Sequence, residues 1–580
     1  MPIDRDFLLK KAVKIYKCNR LLVYPEAGLP ARYCLLPEHD NLLVLSTKNK
    51  YTEPMKRRLP IGIQDFTKIR EEGYVYVDKT SRIHEMLTGS GGVFFLARPR
   101  RFGKSLLCST LAAVFEGRRE LFSGLAIDSL DWEWKKHPVI RLDLNPGNYE
   151  QGIDELTVTI KRSLELCAKR YGVPFTGGSL SDFFARLIIN LYEKYGEKAA
   201  VVIDEYDKPL LSTINDRELH TITRNALKGF YAALKSYDQY LTFVLLTGVT
   251  KYSQVSVFSE LNNLTDISLT PDYNDICGIT QEELEAEFQP EIDGIVQEKN
   301  ISKPEYLARL KQYYNGYRFS KRADTVYNPF GLLNHFNNHG EFDTYWFATG
   351  TPAFLIKLIE MQKIDILHLE RTAFTLAGLQ KFYVDNMDAL AVLYQAGYLT
   401  ITDYDDEFGE YILDYPNEEV RSAFANALLE HYIHVSAQEV NALSVSLPRA
   451  LIKGDIDEAM NMLIPFFAAI PYDIQIKDER YYQTVVHLVF KMIGLYCRSE
   501  VRIATGRIDT LVETKNAVYC FEFKLDGTAE EALRQIETKE YLLPWTGSGK
   551  QLFKVGVSFD YEKRNIDEWK AAPAACSCPC

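Results

Sequence analysis

Leu96-Ala-Arg-Pro-Arg-Arg-Phe-Gly-Lys-Ser105 follows the apolar residues 93–97 and opens a helical pattern that continues to about Phe115. A strand, a tight loop and a helix N-terminus in this order are typical of a phosphate-binding loop. Backbone N–H groups and the positive end of the helix dipole attract phosphate oxygens there. Lys104 is placed to reach the β- and γ-phosphates, and the Ser105 hydroxyl is placed to bind Mg²⁺. The common pattern G-x-x-x-x-G-K-[ST] has glycine where this chain has Arg98, so the loop departs from the pattern at its first turn.

Two later apolar strands end in polar residues that complete a nucleotide site. Val201-Val-Ile-Asp204-Glu205 lies about 100 residues downstream of the loop, and Leu245-Leu-Thr247 ends the next apolar run. An Asp at the end of such a strand lies beside Mg²⁺, and a Glu after it lies beside the attacking water. Thr247 is placed to sense the γ-phosphate or to orient that water. The three elements together predict that ATP and Mg²⁺ bind here.

The arginines of the loop have two interpretations. Arg98, Arg100 and Arg101 either add phosphate contacts or form a basic loop surface. Lys251, after the Thr247 strand, is either a positive charge on the γ-phosphate or a surface lysine. The predicted nucleotide-binding set is Arg98, Arg101, Gly103, Lys104, Ser105, Asp204 and Thr247, with Ser105 and Asp204 as Mg²⁺ ligands and Glu205 as the catalytic residue.

Patterning divides the chain into several regions. Continuous apolar strands separated by helices predict an α/β domain, a parallel sheet with helices on both faces, over residues 56–275. Helical patterns rich in Leu, Tyr and Phe predict a mainly helical middle domain, and a smaller α+β pattern follows it. The predicted boundaries are 1–55 for a poorly defined extension, 56–275, 276–455 and 456–570 for the three domains, and 571–580 for a disordered tail.

Composition excludes several classes of protein. The 580 residues include 67 Lys and Arg and 79 Asp and Glu, a net charge of −12 that does not suit a protein coating nucleic acid along its whole surface. No run approaches the length of a membrane-spanning helix, and the N-terminus has no signal-peptide pattern. Ten scattered cysteines form no disulfide framework. We therefore expect a cytoplasmic protein that does not enter a membrane.

A second cluster of polar residues lies near the C-terminus. Gly506-Arg-Ile-Asp509 is followed, thirteen residues after the aspartate, by Glu522 in Phe521-Glu-Phe-Lys524. Side chains alternate along a strand, so Glu522 and Lys524 share one face. Two adjacent carboxylates, Asp509 and Glu522, can hold Mg²⁺, and the lysine can stabilise charge that develops on a phosphate. The alternative is an ordinary hairpin with an exposed Asp and a Glu–Lys pair.

These motifs resemble a known family. The N-terminal half is similar to bacterial AAA-ATPase-like proteins in Leu59-Pro-Ile-Gly-Ile-Gln-Asp-Phe66, Tyr76-Val-Asp-Lys-Thr80, the loop itself, Ile203-Asp-Glu-Tyr-Asp207, Thr247-Gly-Val-Thr-Lys251, Phe258-Ser-Glu-Leu-Asn-Asn-Leu264 and Tyr314-Asn-Gly-Tyr-Arg-Phe319. The loop with arginine at position 98 is the usual form there. The C-terminal cluster resembles the PD-(D/E)XK nuclease superfamily, which implies a restriction-endonuclease-like fold. That resemblance also implies catalytic roles for Asp509, Glu522 and Lys524. Glu479, which opens the preceding helix, is placed to supply a further carboxylate, and Gln535 and Tyr541 on the following helix are placed to contact a nucleic-acid backbone.

Two functions remain open from the sequence. The first is an ATPase that gates a metal-dependent nuclease acting on nucleic acid, with DNA favoured over RNA. The second is an ATP-dependent signalling switch whose nuclease-like domain binds without cleaving. The discriminating observation is whether Asp509 and Glu522 hold a divalent ion. A homo-oligomer is compatible with either function.

Overall fold

The computed structural model describes residues 33–38, 41–46, 57–89, 91–251, 261, 263–349, 353–380, 388–433, 437–470, 479–492 and 496–574. The chain forms two units, Met1–Arg58 and Leu59–Cys580. In the first unit, strands β1 (Tyr33–Glu38) and β2 (Asn41–Ser46) pair as an antiparallel hairpin. The rest of the predicted extension 1–55 lies outside the described residues.

The second unit begins with a five-stranded sheet. Its strands are β3 (Val93–Ala97), β4 (Val139–Asp143), β5 (Ala199–Asp204), β6 (Leu241–Gly248) and β7 (Leu264–Asp266). They lie in the order β4-β5-β6-β3-β7, and every pair is parallel. Strands β3 and β5 are buried along their whole length, because helices cover the sheet. The predicted α/β fold is confirmed.

In the described part of this region, eight α-helices accompany the sheet. They are Phe66–Glu71 (α1), Thr80–Thr88 (α2), Lys104–Phe115 (α3), Ala126–Ser129 (α4), Ile153–Tyr171 (α5), Leu180–Tyr195 (α6), Lys208–Ser212 (α7) and Arg217–Ser236 (α8). Helix α8 begins where the Asp216 carboxylate accepts hydrogen bonds from the backbone N–H groups of Glu218 and Leu219. In α5 the buried residues Leu156, Ile160 and Leu164 recur at helical spacing, which turns one face of that helix toward the sheet.

The middle region is mainly helical, as predicted. Its helices are Gln281–Glu287 (α9), Gln289–Lys299 (α10), Lys303–Tyr314 (α11), Pro329–Asn337 (α12), Ala353–Met361 (α13), Leu376–Gln380 (α14), Ala389–Ala396 (α15), Glu418–Ile433 (α16) and Ala437–Lys453 (α17). A small antiparallel sheet interrupts them, with strands Thr372–Thr375 (β8), Thr400–Asp405 (β9) and Glu410–Asp414 (β10) in the order β8-β10-β9. Strand β8 was not predicted, because its Thr-Ala-Phe-Thr sequence has no apolar run.

The C-terminal region is a mixed sheet flanked by helices. Helices Ile456–Ala468 (α18) and Glu479–Met492 (α19) precede strands Tyr496–Ile503 (β11), Gly506–Glu513 (β12) and Ala517–Leu525 (β13). Helix Ala529–Thr538 (α20) then leads to strands Gln551–Asp560 (β14) and Asn565–Pro573 (β15). The strands lie in sequence order, and only β13 and β14 run parallel. Strand β15 extends into the range 571–580 predicted as a tail, and residues 575–580 lie outside the described residues. Within the described parts of the chain, no helix is long and apolar enough to cross a membrane.

A buried carboxylate lies in the first turn of α16. The Glu419 side chain is fully buried, and its Oε1 accepts a hydrogen bond from the backbone N–H of Trp346 at 2.5 Å. Its Oε2 is buried without a hydrogen-bond partner. Burial raises the pKa of Glu419 to about 8. The charged form of this side chain therefore destabilises the folded chain.

This burial makes stability depend on pH. The Glu419 pKa is raised on folding, so the stability that it contributes is fully present below pH 4.5 and is lost as pH rises through about 8. We expect Glu419→Gln to become progressively more stable than the natural chain between pH 5.5 and 8.5, by on the order of a few kcal/mol at the upper end. Urea unfolding midpoints at several pH values measure this difference. Glu430→Gln, at an exposed position of the same helix, is the control. If the difference in unfolding midpoint between Glu419→Gln and the natural chain does not change with pH, the pKa of Glu419 is not raised in the folded chain.

Candidate active sites

The loop between β3 and α3 contains two residues with a left-handed backbone. Helix α3 begins at Lys104, with Gly103 as its N-cap residue at φ 95°. Glycine suits this position because side-chain-bearing residues rarely adopt a left-handed backbone. Arg101 also has a positive φ, 64°, whereas Arg98 does not. The position at which the common pattern has glycine therefore requires none here, which explains how arginine is accommodated.

Lys104 lies over this loop and is buried. Its Nζ donates hydrogen bonds to the backbone oxygens of Arg98 at 3.1 Å and Pro99 at 3.2 Å. The same Nζ lies 3.5 Å from Oε1 of Glu205. The cation is thus held at the helix N-terminus by two uncharged carbonyl oxygens and by the nearby Glu205 carboxylate. Ser105 follows it in the first turn of α3 and is half-buried.

The Arg98 side chain is directed into the protein. Its guanidinium donates to the backbone oxygens of Ala97 at 2.9 Å, Ser268 at 2.8 Å and Tyr273 at 2.8 Å. It also lies 4.1 Å from the centroid of the Phe319 ring. In this geometry Arg98 fastens the loop to the segment after β7, and the predicted phosphate contact would require breaking all three hydrogen bonds. Arg101 is exposed and lies over a ring of the middle region, so it can turn toward a phosphate.

The ends of β5 and β6 bring the predicted acidic and polar residues together. Asp204 Oδ1 accepts hydrogen bonds from Thr247 Oγ1 at 2.6 Å and from the backbone N–H of Glu205 at 3.1 Å. Strand β6 lies between the loop strand β3 and the acidic strand β5, which places Thr247 beside both. Glu205 has φ 51°, so the chain turns sharply after Asp204 and directs the Glu205 carboxylate toward Lys104. Lys104, Asp204, Glu205 and Thr247 therefore form one site.

Two further residues support this site. The Asp207 carboxylate is fully buried and accepts hydrogen bonds from the backbone N–H and the hydroxyl of Thr250, both at 2.7 Å. Burial and the nearby Glu205 raise the pKa of Asp207. Lys251 is buried and pairs with Asp266 at 2.9 Å, so the surface-lysine interpretation is wrong. Asp207 therefore fixes the backbone that follows Thr247, whereas Asp266 neutralises the Lys251 ammonium.

An apolar cavity of about 100 Å³ adjoins the loop at Phe102 and Gly103. Residues of several separate segments line it, among them Val75, Leu107, Cys277, Ile279, Phe288 and Leu333. A cavity of this size has the same order of volume as one that holds a small aromatic ring, and it is far larger than one water requires. Its position suits an apolar group attached to a phosphate chain. Sequence patterns did not indicate it, because its lining comes from residues far apart in the chain.

The C-terminal cluster is assembled on two neighbouring strands. Thr510 of β12 pairs with Phe521 of β13, so Asp509 and Glu522 occupy the next positions along the two strands. Asp509 Oδ2 accepts a hydrogen bond from the backbone N–H of Phe523 at 2.9 Å. Lys524 Nζ lies 3.3 Å from Glu522 Oε1. The structure therefore brings together Asp509, Glu522 and Lys524, the three residues predicted from the sequence.

The electrostatics of this cluster suit a divalent cation. Glu522 Oε1 accepts a hydrogen bond from Gln535, whose amide also donates to Tyr541 Oη at 3.3 Å. Glu522 Oε2 is buried with no hydrogen-bond partner. Burial, and then the charge of Asp509, raise the pKa of Glu522. A bound cation would offset both the burial of the Glu522 carboxylate and its repulsion by Asp509, so these residues fit a metal. In the described parts of the chain no group of three or more His, Cys, Asp or Glu side chains is placed to hold one, so this cluster supplies two carboxylates.

Helix α19 contacts the strand that carries Asp509. The Gln483 Nε2 donates to the backbone oxygen of Asp509 at 2.8 Å, and Gln483 is buried. Glu479, which the sequence offered as a further carboxylate, is the first residue of this helix, and its side chain lies outside the described parts of the structure. Helix α19 therefore positions the strand that carries Asp509.

Comparison with known proteins gives two family matches and one relative. Residues 60–258 match the model of AAA-ATPase-like proteins, described as predicted AAA-ATPases. Residues 477–569 match a model of the PD-(D/E)XK nuclease superfamily. The chain is 36% identical over 522 residues to a protein of Azotobacter chroococcum mcd 1 described as an uncharacterized protein in the vnfD 5′ region. That alignment covers 88% of this chain and 98% of the relative.

Proposed function

Because the chain belongs to the family of AAA-ATPase-like proteins that carry a C-terminal PD-(D/E)XK nuclease-superfamily domain, we propose that it hydrolyses ATP and thereby gates metal-dependent cleavage of nucleic acid. The observation that carries the ATPase part is the junction of Lys104, Asp204, Glu205 and Thr247 at the ends of three adjacent strands. The observation that carries the nuclease part is the pair Asp509 and Glu522 beside Lys524.

In the nucleotide site each residue has a distinct role. The backbone N–H groups of the loop and the Lys104 ammonium bind the β- and γ-phosphates. Ser105 and Asp204 hold the Mg²⁺, which when bound neutralises charge between the phosphates. Thr247, hydrogen-bonded to Asp204, fixes the orientation of that carboxylate. The base of the nucleotide enters the apolar cavity next to Gly103.

Glu205 acts as the general base for ATP hydrolysis. In this structure its carboxylate lies 3.5 Å from Lys104. When Lys104 turns to the phosphates, this pairing weakens and the carboxylate becomes available to accept a proton from water. Asp207 fixes the backbone after Thr247 and acts as a positioning residue.

In the nuclease site Asp509 and Glu522 hold a divalent metal, which when bound lowers the pKa of a water molecule and polarises the phosphodiester. Lys524 stabilises the negative charge that develops on the phosphate. Gln535 and Tyr541 hold the Glu522 carboxylate in place through their hydrogen bonds. DNA is the proposed substrate.

Incubation of the purified full chain with labelled DNA and RNA tests this function. Four conditions, with and without ATP and with and without Mg²⁺, separate the two requirements. We expect Mg²⁺-dependent cleavage of DNA whose rate changes when ATP is added. Absence of cleavage on either nucleic acid, with ATP turnover intact, would instead support the signalling switch.

Loss of the Lys104 ammonium should weaken nucleotide binding. We expect Lys104→Ala to reduce ATP affinity at least tenfold, about 1.4 kcal/mol, because the charge that meets the phosphates is gone. Calorimetric titration measures the affinity, and a thermal melt verifies the fold.

Two controls sharpen this test. Lys235→Ala removes an exposed lysine of α8 and should leave affinity unchanged. Inorganic triphosphate, which has no base to fill the apolar cavity, should bind the natural chain more weakly than ATP does. Unchanged ATP affinity in folded Lys104→Ala would refute the phosphate-loop assignment.

A further inference from the structure

The phosphate-binding loop is packed directly against the middle region. The Phe102 ring meets Tyr317 edge-on at 4.8 Å between centroids. Gly397, at φ 90°, lies so close to Pro99 that an added Cβ would be 2.7 Å from the proline Cβ. The Trp346 indole N–H donates a hydrogen bond of 3.0 Å to the backbone oxygen of Arg100. Any movement of the loop would therefore displace residues of the middle region that contact it.

Trp346 has a second contact that leads away from the loop. Its backbone N–H donates to Glu419 Oε1 in the first turn of α16. Trp346 thus binds the loop through its indole N–H and helix α16 through its backbone N–H. Trp346 and Glu419 are both buried, so these two bonds lie away from bulk water.

Helix α16 continues toward the carboxylate cluster. It packs lengthwise on α19, in the most extensive contact between two helices within the described residues. The buried Lys491 at the end of α19 also forms an ion pair with Glu370 of the middle region. Helix α19 holds the backbone of Asp509 through Gln483. A continuous chain of direct contacts therefore runs from Arg100 to Asp509.

Lys104 links the nucleotide site to this connection. Its Nζ donates hydrogen bonds to the backbone oxygens of Arg98 and Pro99, and in the proposed function phosphate oxygens would compete for the same ammonium. Loss of these two bonds would act next to the Arg100 oxygen, which is the atom that the Trp346 indole holds. A coupling route needs an element with two arrangements that both sites influence, and the inference assigns that part to this loop.

We propose that Trp346 and Glu419 are positioning residues that transmit the nucleotide state of the loop, through α16 and α19, to the Asp509–Glu522 cluster. This inference rests on the proposed function, since it describes how ATP would gate cleavage. It goes further by assigning the connection to two residues that lie in neither site.

Hydrogen–deuterium exchange on the full chain tests the connection without relying on cleavage. The background is Glu205→Gln, which we expect to bind ATP without hydrolysing it. We expect ATP and Mg²⁺ to slow exchange in the loop and also to change exchange in α16 and α19. Adding Trp346→Phe, which removes the indole N–H, should leave the slowing in the loop and abolish the change in α19. Trp134→Phe, which alters an indole packed on Phe122, is the control and should retain both changes.

A second pair of variants covers the case in which Trp346→Phe does not fold. Glu419→Met removes the acceptor for the Trp346 N–H at similar volume, so it should abolish the response of α19. Glu419→Gln retains an acceptor oxygen and should preserve that response. A structural role alone would not separate these two variants by their response to ATP.

The outcomes distinguish this inference from the proposed function. A response of α19 that persists in folded Trp346→Phe and Glu419→Met would overturn the inference, even if ATP gates cleavage. ATP protection confined to the loop in the Glu205→Gln background would also overturn it. A response that these variants abolish, in a chain whose cleavage ignores ATP or is absent, would support the connection and refute gated cleavage.

Discussion

Replacement of Glu205 by glutamine should lower ATP turnover by about a hundredfold or more while ATP still binds. Glutamine has nearly the same shape, so the sharp turn after Asp204 and the position beside Lys104 should be kept. What is lost is the carboxylate that accepts a proton from the attacking water. Release of inorganic phosphate measures turnover, and calorimetric titration measures binding.

Matched variants make this result specific. Glu193→Gln changes an exposed residue of α6 and should leave turnover unchanged. Asp207→Asn should have a smaller effect than Glu205→Gln, because the Asp207 carboxylate is buried and fully engaged with the 249–250 backbone. If Glu205→Gln turns over ATP at the natural rate, Glu205 is not the base, and the assignment of the acidic strand end is wrong.

The second large effect concerns the nuclease cluster. Asp509→Ala or Glu522→Ala should abolish metal-dependent cleavage, because one carboxylate competes poorly with water for Mg²⁺. Lys524→Ala should leave the metal bound but slow the reaction, since it removes charge stabilisation and not a ligand. Titration with Mn²⁺ measures metal binding, and cleavage of labelled DNA measures the reaction.

Controls for the cluster come from the same domain. Glu562→Ala, at an exposed position between β14 and β15, should cleave normally. None of the cluster variants should alter ATP turnover by much, because Asp509, Glu522 and Lys524 belong to a separate sheet. Cleavage that persists at the natural rate in Asp509→Ala would refute the metal site.

The parts of the fold that were predicted share a physical cause. Parallel strands buried on both faces have continuous apolar sequences, so the runs at 93–97, 199–203 and 241–246 were recognisable as strands of one sheet. The polar residues that follow the carboxyl ends of those strands must then lie together at one edge of the sheet. For this reason Lys104, Asp204, Glu205 and Thr247 could be placed together before the structure was known.

The features that were not predicted depend on tertiary contacts. Position 98 of the loop has an arginine that binds the backbone oxygens of Ser268 and Tyr273, which no local pattern can reveal. Trp346 contacts the loop from 246 residues away in sequence. In the local sequence Trp346 is an ordinary aromatic residue near a short helical turn, so nothing there indicates this contact. The apolar cavity escaped prediction for the same reason.

The two hydrogen bonds that Lys104 makes to its own loop affect which ligands can enter. A hydrogen bond from a charged group contributes about 1.5–3 kcal/mol, and an arriving ligand must replace both. If ATP binds as proposed, its apparent affinity is its intrinsic affinity lowered by this internal competition. A triphosphate offers several charged oxygens in exchange, whereas a nucleoside offers none. In the proposed function, the lysine bound to its own loop would thus favour highly charged ligands over compounds that resemble ATP only in the base.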